Sequence, residues 1–322
     1  MRGLRSASAA LTVAAIVPTY QRPHDLRRCL EGLEQQSRAP EEIIVVHRAT
    51  GDPHTWTVVE EWLAHSGVSR RRHAMVTTPG QIAAMEAGVL ATECDIVVFV
   101  DDDVRLRPTW LELCLRHYAD GHVVGVGGRD VIQGSTAPGQ PHRVVGRVSW
   151  YGRLQGNHHV GYGAARPVDS LKGANMSLRR AYCVFDHRLR GAGSQIHNDS
   201  HLCLSARRRD GVLMDDSACL ADHYPAARFD EDQRNAPSRQ AVANVMHNEV
   251  YMLLTHLSWP RRLAFLAYTF LVGHRGSWAL GRWAVARVAG ERISFRSEAL
   301  PSYHGKVMGV WSWISSRRRG GA

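Results

Sequence analysis

The sequence predicts an α/β protein built on a doubly wound, mainly parallel sheet. Three observations carry that expectation. Ile96-Val97-Val98-Phe99-Val100 is a continuous apolar, largely β-branched run ending abruptly in Asp101-Asp102-Asp103. Such a run suits a strand buried on both faces. Comparable runs stand at Val13–Val17, Ile43–Val46, Ala74–Thr77 and Val123–Val126. Between them lie stretches with apolar residues at helical spacing, and alternation of the two patterns argues for a parallel sheet covered by helices.

In chain order, Val13–Val17 is the first strand, and Pro23 then stands where a first helical turn accepts proline. Leu26, Cys29, Leu30 and Leu33 form one apolar helix stripe, and Leu111, Cys114, Leu115 and Tyr118 form another after Pro108. Residues 128–168 are rich in Gly, Pro and His without periodicity, the mark of a functional loop. Short elements return over 171–223, and helical periodicity resumes from about Val242. The expected organisation is a catalytic domain over 1–240, with a nucleotide half at about 12–127 and an acceptor half at about 128–240, then a helical region over 241–322.

The bulk numbers narrow the classes. With 322 residues, 44% hydrophobic and 22% charged, the chain can bury a real core and is not of disordered composition. A net charge of +10 suits an anionic partner. No nucleic-acid recognition motif accompanies it, and Arg residues are spread throughout, so nucleic acid is not the expected partner. The six cysteines show no C-x-x-C pair and read as buried thiols in a reducing compartment. Met1–Ala15 has Arg2 and Arg5 before an Ala-rich stretch, like a signal peptide, yet its apolar part serves equally as the first strand, and a cytoplasmic location is expected.

Leu263–Val272 is apolar but ten residues long, half of what a spanning helix needs. Arg261 and Arg262 precede it, His274 and Arg275 follow, and Trp259, Trp278 and Trp283 flank it. Two readings fit this pattern: an element lying in a membrane interface, or a buried helix capped by charge. A peripheral or monotopic attachment to the inner face of the cell membrane is the expectation adopted.

The chemistry concentrates at predicted strand ends, where open α/β sheets bind ligands. Three adjacent carboxylates read either as an acidic loop with no role or, because side chains alternate faces at a strand end, as Asp101 and Asp103 converging while Asp102 points elsewhere. Two converging carboxylates suit a hard cation such as Mg²⁺ or Mn²⁺ that bridges to phosphates. The first strand ends Pro18-Thr19-Tyr20-Gln21-Arg22, a turn whose N–H groups favour anions, with Arg22 as a phosphate fork and Tyr20 able to stack on a base. Thr78-Pro79-Gly80-Gln81 opens a helix at the same sheet edge. Leu171-Lys172-Gly173-Ala174-Asn175 places a Gly and an Asn just before a further helix, Asn198-Asp199 starts another, and His223 and Arg228 follow a short strand at Cys219–Ala221.

With these motifs in this order, the chain from about Ala14 to Arg228 resembles the inverting family-2 glycosyltransferases, which have the A-type glycosyltransferase fold. The resemblance implies a nucleoside-diphosphate sugar as donor, held by Pro18, Thr19, Tyr20 and the acidic strand end with Asp101 and Asp102. It implies a divalent metal, Mn²⁺ or Mg²⁺, on Asp101 and Asp103. It also implies an acceptor-side loop at Gly173 and Asn175, a catalytic base at Asp199, and a glycan or lipid-linked acceptor. Arg22, Gly80 and Arg228 are candidate donor contacts, and His223 is a candidate metal ligand or diphosphate contact. Two departures stand out. The family's second strand often ends in a base-binding Asp, whereas here Val46 is followed by His47-Arg48, so either Asp52 serves or base recognition differs. Asn198 replaces the usual Glu before the base.

The residue types match the chemistry. A carboxylate at hydrogen-bond reach takes the proton of the attacking hydroxyl, and a divalent ion stabilises the departing diphosphate. The rival for Asp199 is a helix N-cap. Other D-x-D enzymes fit poorly. A haloacid-dehalogenase-type phosphatase carries the motif on its first strand with Thr or Val where Arg105 stands, and a nucleotidylyltransferase needs a Gly-rich basic loop after strand one. His197-Asn198-Asp199-Ser200-His201 has zincin His spacing without its Glu.

Overall fold

The computed structural model describes residues 11–319 apart from Ser66, 135–140, 234–236, Arg275 and 292–293. The stretch Ser135–Gln140 of the Gly- and Pro-rich segment, the first ten residues and the terminal Gly320–Ala322 lie outside the described residues.

The nucleotide half alternates as its apolar pattern requires. β1 (Val13–Thr19), α1 (Pro23–Glu34), β2 (Glu42–Arg48), α2 (Pro53–Ala64), β3 (Arg70–Val76), α3 (Gln81–Leu90) and β4 (Ile96–Val100) follow one another. β3 differs from the expected Ala74–Thr77. It starts four residues earlier, through Arg70-Arg71-Arg72, and forms the sheet edge, where charged side chains reach water. After β4 come β5 (Val104–Leu106), α4 (Trp110–His117) and the long β6 (Val123–Ile132).

The loop-like region holds a small hairpin, β7 (Arg147–Val148) with β8 (Leu154–Gln155), and then β9 (Arg166–Val168). Asn175–Arg179 is not the lead-in to a helix but a strand, β10, with only a short 3₁₀ turn after it. α5 (Asn198–Arg207) and the twelve-residue β11 (Val212–His223) complete the sheet domain, and β11 absorbs the short strand expected at Cys219–Ala221.

Among the described residues nine strands form one sheet, in the order β3-β2-β1-β4-β10-β6-β11-β5, with β9 paired to β11. The first four are parallel, and β10 runs antiparallel between β4 and β6. Strand order reverses direction at β1, so the crevice beyond the carboxyl ends of β1, β2 and β4 is the switch point where such sheets bind ligands. Alternate residues face two helical layers. Val13, Ala15, Val17, Val98 and Val100 pack with α1 and α4, and Ala14, Ile16, Val97 and Phe99 pack with α3 and α5.

The C-terminal region is helical: α6 (Arg239–His256), α7 (Trp259–Ala267) continuing as a π-helical turn over Tyr268–Val272, α8 (Leu280–Val288) and α9 (Leu300–Arg319). α9 lies close on α6, because a Cβ at Gly305 would meet the Ala243 carbonyl oxygen at 2.1 Å and one at Gly309 the His247 carbonyl oxygen at 2.8 Å. Val250, Leu253, Leu254, Leu257 and Phe265 form a separate core with Val310 and Trp313. Among the described residues, no helix is long and apolar enough to cross a membrane.

Candidate active site

β4 delivers the acidic trio into a turn rather than an extended strand, so the three carboxylates point to three different neighbours. Asp101 accepts from Gln81 Nε2 at 3.1 Å. Asp102 accepts from Thr19 Oγ1 at 2.9 Å and from Arg22 Nη1 at 2.7 Å, which ties it to β1. Asp103 accepts from the Ala226 N–H at 3.0 Å and faces His223 Nε2 at 3.4 Å. The expected strand alternation fails because a turn has no two-residue period.

The electrostatics follow from this division. Burial, with Asp103 beside it, pushes the Asp101 carboxyl up to about 6. Burial lifts Asp102 to about 7 against the pull of Arg22. For Asp103 burial acts in the same direction, but His223, the Ala226 N–H and Arg22 outweigh it and hold the carboxyl well below the usual range. Burial would lower His223, yet Asp103 and Asp130 on its two ring nitrogens raise it to about 9.

One cleft collects most of the expected donor residues. Pro18, Thr19, Tyr20, Arg22, Gly80, Asp101, Asp102, Asp103 and Arg228 all line it. Gly80 caps α3 at φ +117°, and a side chain there would strike Gln195 Oε1 at 2.6 Å. Arg22 spends its fork on Asp102 and the Ala227 carbonyl, so it offsets one charge of the trio and ties down the segment around Ala227. Tyr20 carries the Arg48 guanidinium 3.2 Å from its ring centre, and Arg48 is bonded to Asp230.

Asp52 is placed elsewhere. It is 4% exposed, caps α2 by accepting from Thr55 N–H at 3.1 Å, accepts from the Gln21 N–H, and is not among the cleft-lining residues. It shapes the turn after β1 instead of lining the cleft.

On the acceptor side, Asp199 sits in the first turn of α5, one residue past the helix start, and the N-cap is His197. Its Oδ2 accepts from the Gly173 N–H at 3.0 Å and its Oδ1 from the Ser200 N–H at 2.7 Å. Gly173 and Asp199 are thus brought together, as expected. Asn175 is not with them. It is 1% exposed on β10, where it accepts from Trp110 Nε1 at 2.6 Å and donates to Asp130 Oδ1 at 3.2 Å. The two sides of the cleft are joined by Asn198 Nδ2, which donates to Gln81 Oε1 at 3.2 Å while Gln81 donates to Asp101.

Sequence reading missed Asp130 and Lys172. Asp130 is fully buried, pairs with Lys172, and lies 3.5 Å from His223 Nδ1. A lone carboxylate inside the strand Val123–Ile132 was the available signal, since such a group must be paired when buried. Gln81 and Asn198 lay inside quoted motifs without a role, and nothing local marked them as partners.

The sequence model for Glycosyl transferase family 2 matches residues 14–181, just over half of the chain. The chain belongs to this family. The match takes in the cleft residues from Pro18 to Asp103 and Gly173, while Ala192–Ser194 and Arg228–Asp232 of the same cleft lie beyond it. The fold is shared with GalNAc-T7 crystallised with UDP, GalNAc and Mn²⁺ (TM-score 0.58, 11% identity, 87% of this chain and 57% of that one). It is shared also with S. aureus TarS residues 1–349 in complex with UDP-GlcNAc (TM-score 0.58, 16% identity, 81% of this chain and 74% of that one). This chain therefore spans little more than half of the GalNAc-T7 chain. At such identities the likeness is one of fold. No curated protein matches the sequence.

Asp101 and Asp103 line the cleft with carboxylate oxygens of the kind a hard divalent ion takes, whereas His223 does not line it and has its two ring nitrogens on Asp103 and Asp130. Asp103 Oδ1 and His223 Nε2 face each other at 3.4 Å, with Asp101 in the same turn. No preformed group of three or more His, Cys, Asp or Glu ligands occurs among the described residues. An ion here would take one or two protein ligands and complete its shell with substrate phosphates, as Mg²⁺ does in phosphate-transfer sites.

Proposed function

We propose that this protein is an inverting, divalent-metal-dependent glycosyltransferase that moves a sugar from a nucleoside-diphosphate sugar to an acceptor hydroxyl. The observation that supports the reading is the chain Asp101–Gln81–Asn198, which ties the first turn of α5, the turn that carries Asp199, to the acidic strand end.

Each side chain then has a task. Pro18, Thr19, Tyr20 and Arg48 wall the nucleotide end of the cleft. Arg22 holds Asp102 and the segment around Ala227, so the diphosphate meets a formed surface. Asp101 and Asp103 would hold Mn²⁺ or Mg²⁺, which would supply Lewis-acid stabilisation to the leaving diphosphate, and His223 holds Asp103 in place. Asp199 takes the acceptor proton, and Gly173 lets backbone approach it without a side chain in the way. Attack opposite the departing diphosphate inverts the anomeric centre.

The rival carboxylates support Asp199 by being otherwise engaged. Asp169 pairs with Arg207, Asp215 lies against His158 and Arg166, and Asp222 holds Arg107. Asp199 is held only by backbone N–H groups among these contacts. We place the enzyme on the inner face of the cell membrane, where a lipid-linked acceptor for envelope or extracellular glycan is presented.

The test is Asp199→Asn. Turnover falls by about two to four orders of magnitude, the usual weight of a general base, while nucleoside diphosphates with Mn²⁺ raise the melting temperature as in the unaltered chain. Asp169, Asp215 and Asp222 are substituted in parallel, and the anomeric configuration of the product is read by NMR. Near-normal turnover in Asp199→Asn, with a rival variant dead, would remove Asp199 from the role.

A further inference from the structure

The last quarter of the chain is built unlike the rest. From residue 257 onward there are eleven Lys or Arg against two Glu, so nine of the chain's ten net positive charges reside there. The same stretch holds thirteen of the twenty-two large apolar side chains exposed among the described residues. Water-facing helix positions are ordinarily polar, and here they are not. On α7 and its π-helical extension, Trp259, Leu263 and Leu271 fall at four- and eight-residue steps, all more than half exposed. On α9 the face opposite α6 carries Leu300, Val307, Trp311 and Ile314, also exposed.

These two helices lie antiparallel, side by side. Arg262 covers the Trp313 ring, Lys306 Nζ donates to the Thr269 carbonyl at 2.6 Å, and Tyr303 Oη reaches the Phe270 carbonyl. The tip of the β7–β8 hairpin joins them. Arg261 binds the Ser149 and Trp150 carbonyls, Tyr151 rests on Tyr268 with ring centres 4.8 Å apart, and Trp150 is 63% exposed. Val148, next to that tip, donates its N–H to Asp169, and the neighbouring Ser170 touches Ser200 beside Asp199.

We propose that α7, α9 and the hairpin tip form a surface that docks on an anionic lipid bilayer, with the acceptor side of the cleft turned toward the lipid. This specifies the membrane placement proposed above and rests on it. Exposed Arg317 and Arg318 on α9 and half-buried Arg261 and Arg262 on α7 supply the attraction to acidic headgroups, and the Trp and Leu side chains enter the headgroup region. Without a helix able to span the bilayer among the described residues, the contact is one of surface. Charge complementarity selects this occupant over a second copy of the chain, because two copies of the surface would bring like-charged Arg side chains together.

The full chain is mixed with vesicles of phosphatidylcholine alone or with phosphatidylglycerol, without donor or acceptor, and the bound fraction is read by flotation. Binding to phosphatidylglycerol vesicles is expected, weaker by about tenfold or more on phosphatidylcholine alone and declining with added salt. The combined variant Leu263→Ser, Leu271→Ser, Trp311→Ser should lose about tenfold or more of that binding, and Trp150→Ser a smaller part. The melting-temperature rise with a nucleoside diphosphate and Mn²⁺ serves as the control for a folded cleft and is expected to persist. Absence of binding by the intact chain overturns the proposal, as does unchanged binding by the combined variant. A concentration-dependent dimer that the combined variant dissolves assigns the face to a second copy and overturns it too. Loss of the nucleotide response with vesicle binding intact would instead fault the glycosyltransferase cleft.

Discussion

The acidic trio after β4 and the lone carboxylate of Asp130 on β6 are both buried, yet they are handled in opposite ways. Around Asp130, Lys172, His223 and the Asn175 amide converge, and although burial opposes ionisation these partners hold the carboxyl at about 2. The trio shares Arg22 and His223 among three acids, and two of them are pushed up to about 6 and about 7. Asp130 is a fully compensated charge, whereas in the trio Asp103 alone is brought low and Asp101 and Asp102 are left short of positive charge. The difference teaches that burial alone does not set a carboxylate's charge, and that the number of partners around it does.

Three substitutions test the contrast. Asp130→Ala has the largest effect, because it leaves Lys172, His223 and Asn175 facing an empty buried position. A loss of about 3–5 kcal/mol is expected, as for breaking a buried pair, read by denaturant unfolding. A change below about 1 kcal/mol, within the range of exposed pairs, would break the assignment of Asp130 to the scaffold.

Asp103→Ala comes next, and its effect should fall on binding. Calorimetric titration should show Mn²⁺-dependent nucleoside-diphosphate affinity reduced by about a hundredfold or more, since even outer partners of a metal ligand are worth up to that much. Unfolding stability should change less than in Asp130→Ala. Unchanged affinity would remove the metal from the trio.

Asp52→Ala is the smallest. Loss of a helix cap costs about 1 kcal/mol, and nucleotide affinity should stay within about twofold, a change worth only a few tenths of a kcal/mol. A large loss of affinity with normal stability would return Asp52 to the base-binding role.

The nucleotide half was largely legible in the sequence. Val13–Val17, Ile43–Val46 and Ile96–Val100 are apolar at every position because a central parallel strand is covered on both faces. The residues after such strands necessarily gather at one edge, which is why Pro18, Thr19, Tyr20, Arg22 and the acidic trio were found together. The Asn198-Asp199 helix start was legible for the same reason, as a local pattern with a local consequence.

Where the local pattern allowed two outcomes, the tertiary structure chose. Asp52 could cap a helix or bind a base, and the choice followed from the turn after β1, which brings the Gln21 N–H to it. Asn175 reads as a loop residue beside Gly173, but β10 is drawn antiparallel between β4 and β6, which turns its side chain onto Trp110 and Asp130.

By itself, then, the sequence determined the apolar strands, the amphipathic helices and the strand-end chemistry, because periodicity and burial act over a few residues. Only the tertiary structure decided the reversed β10, the pairing of Asp130 with Lys172 forty-two residues away, and the link from Asp101 through Gln81 to Asn198. Those contacts depend on strand order and register, which come from packing distant segments into one core, and no short stretch of chain encodes them.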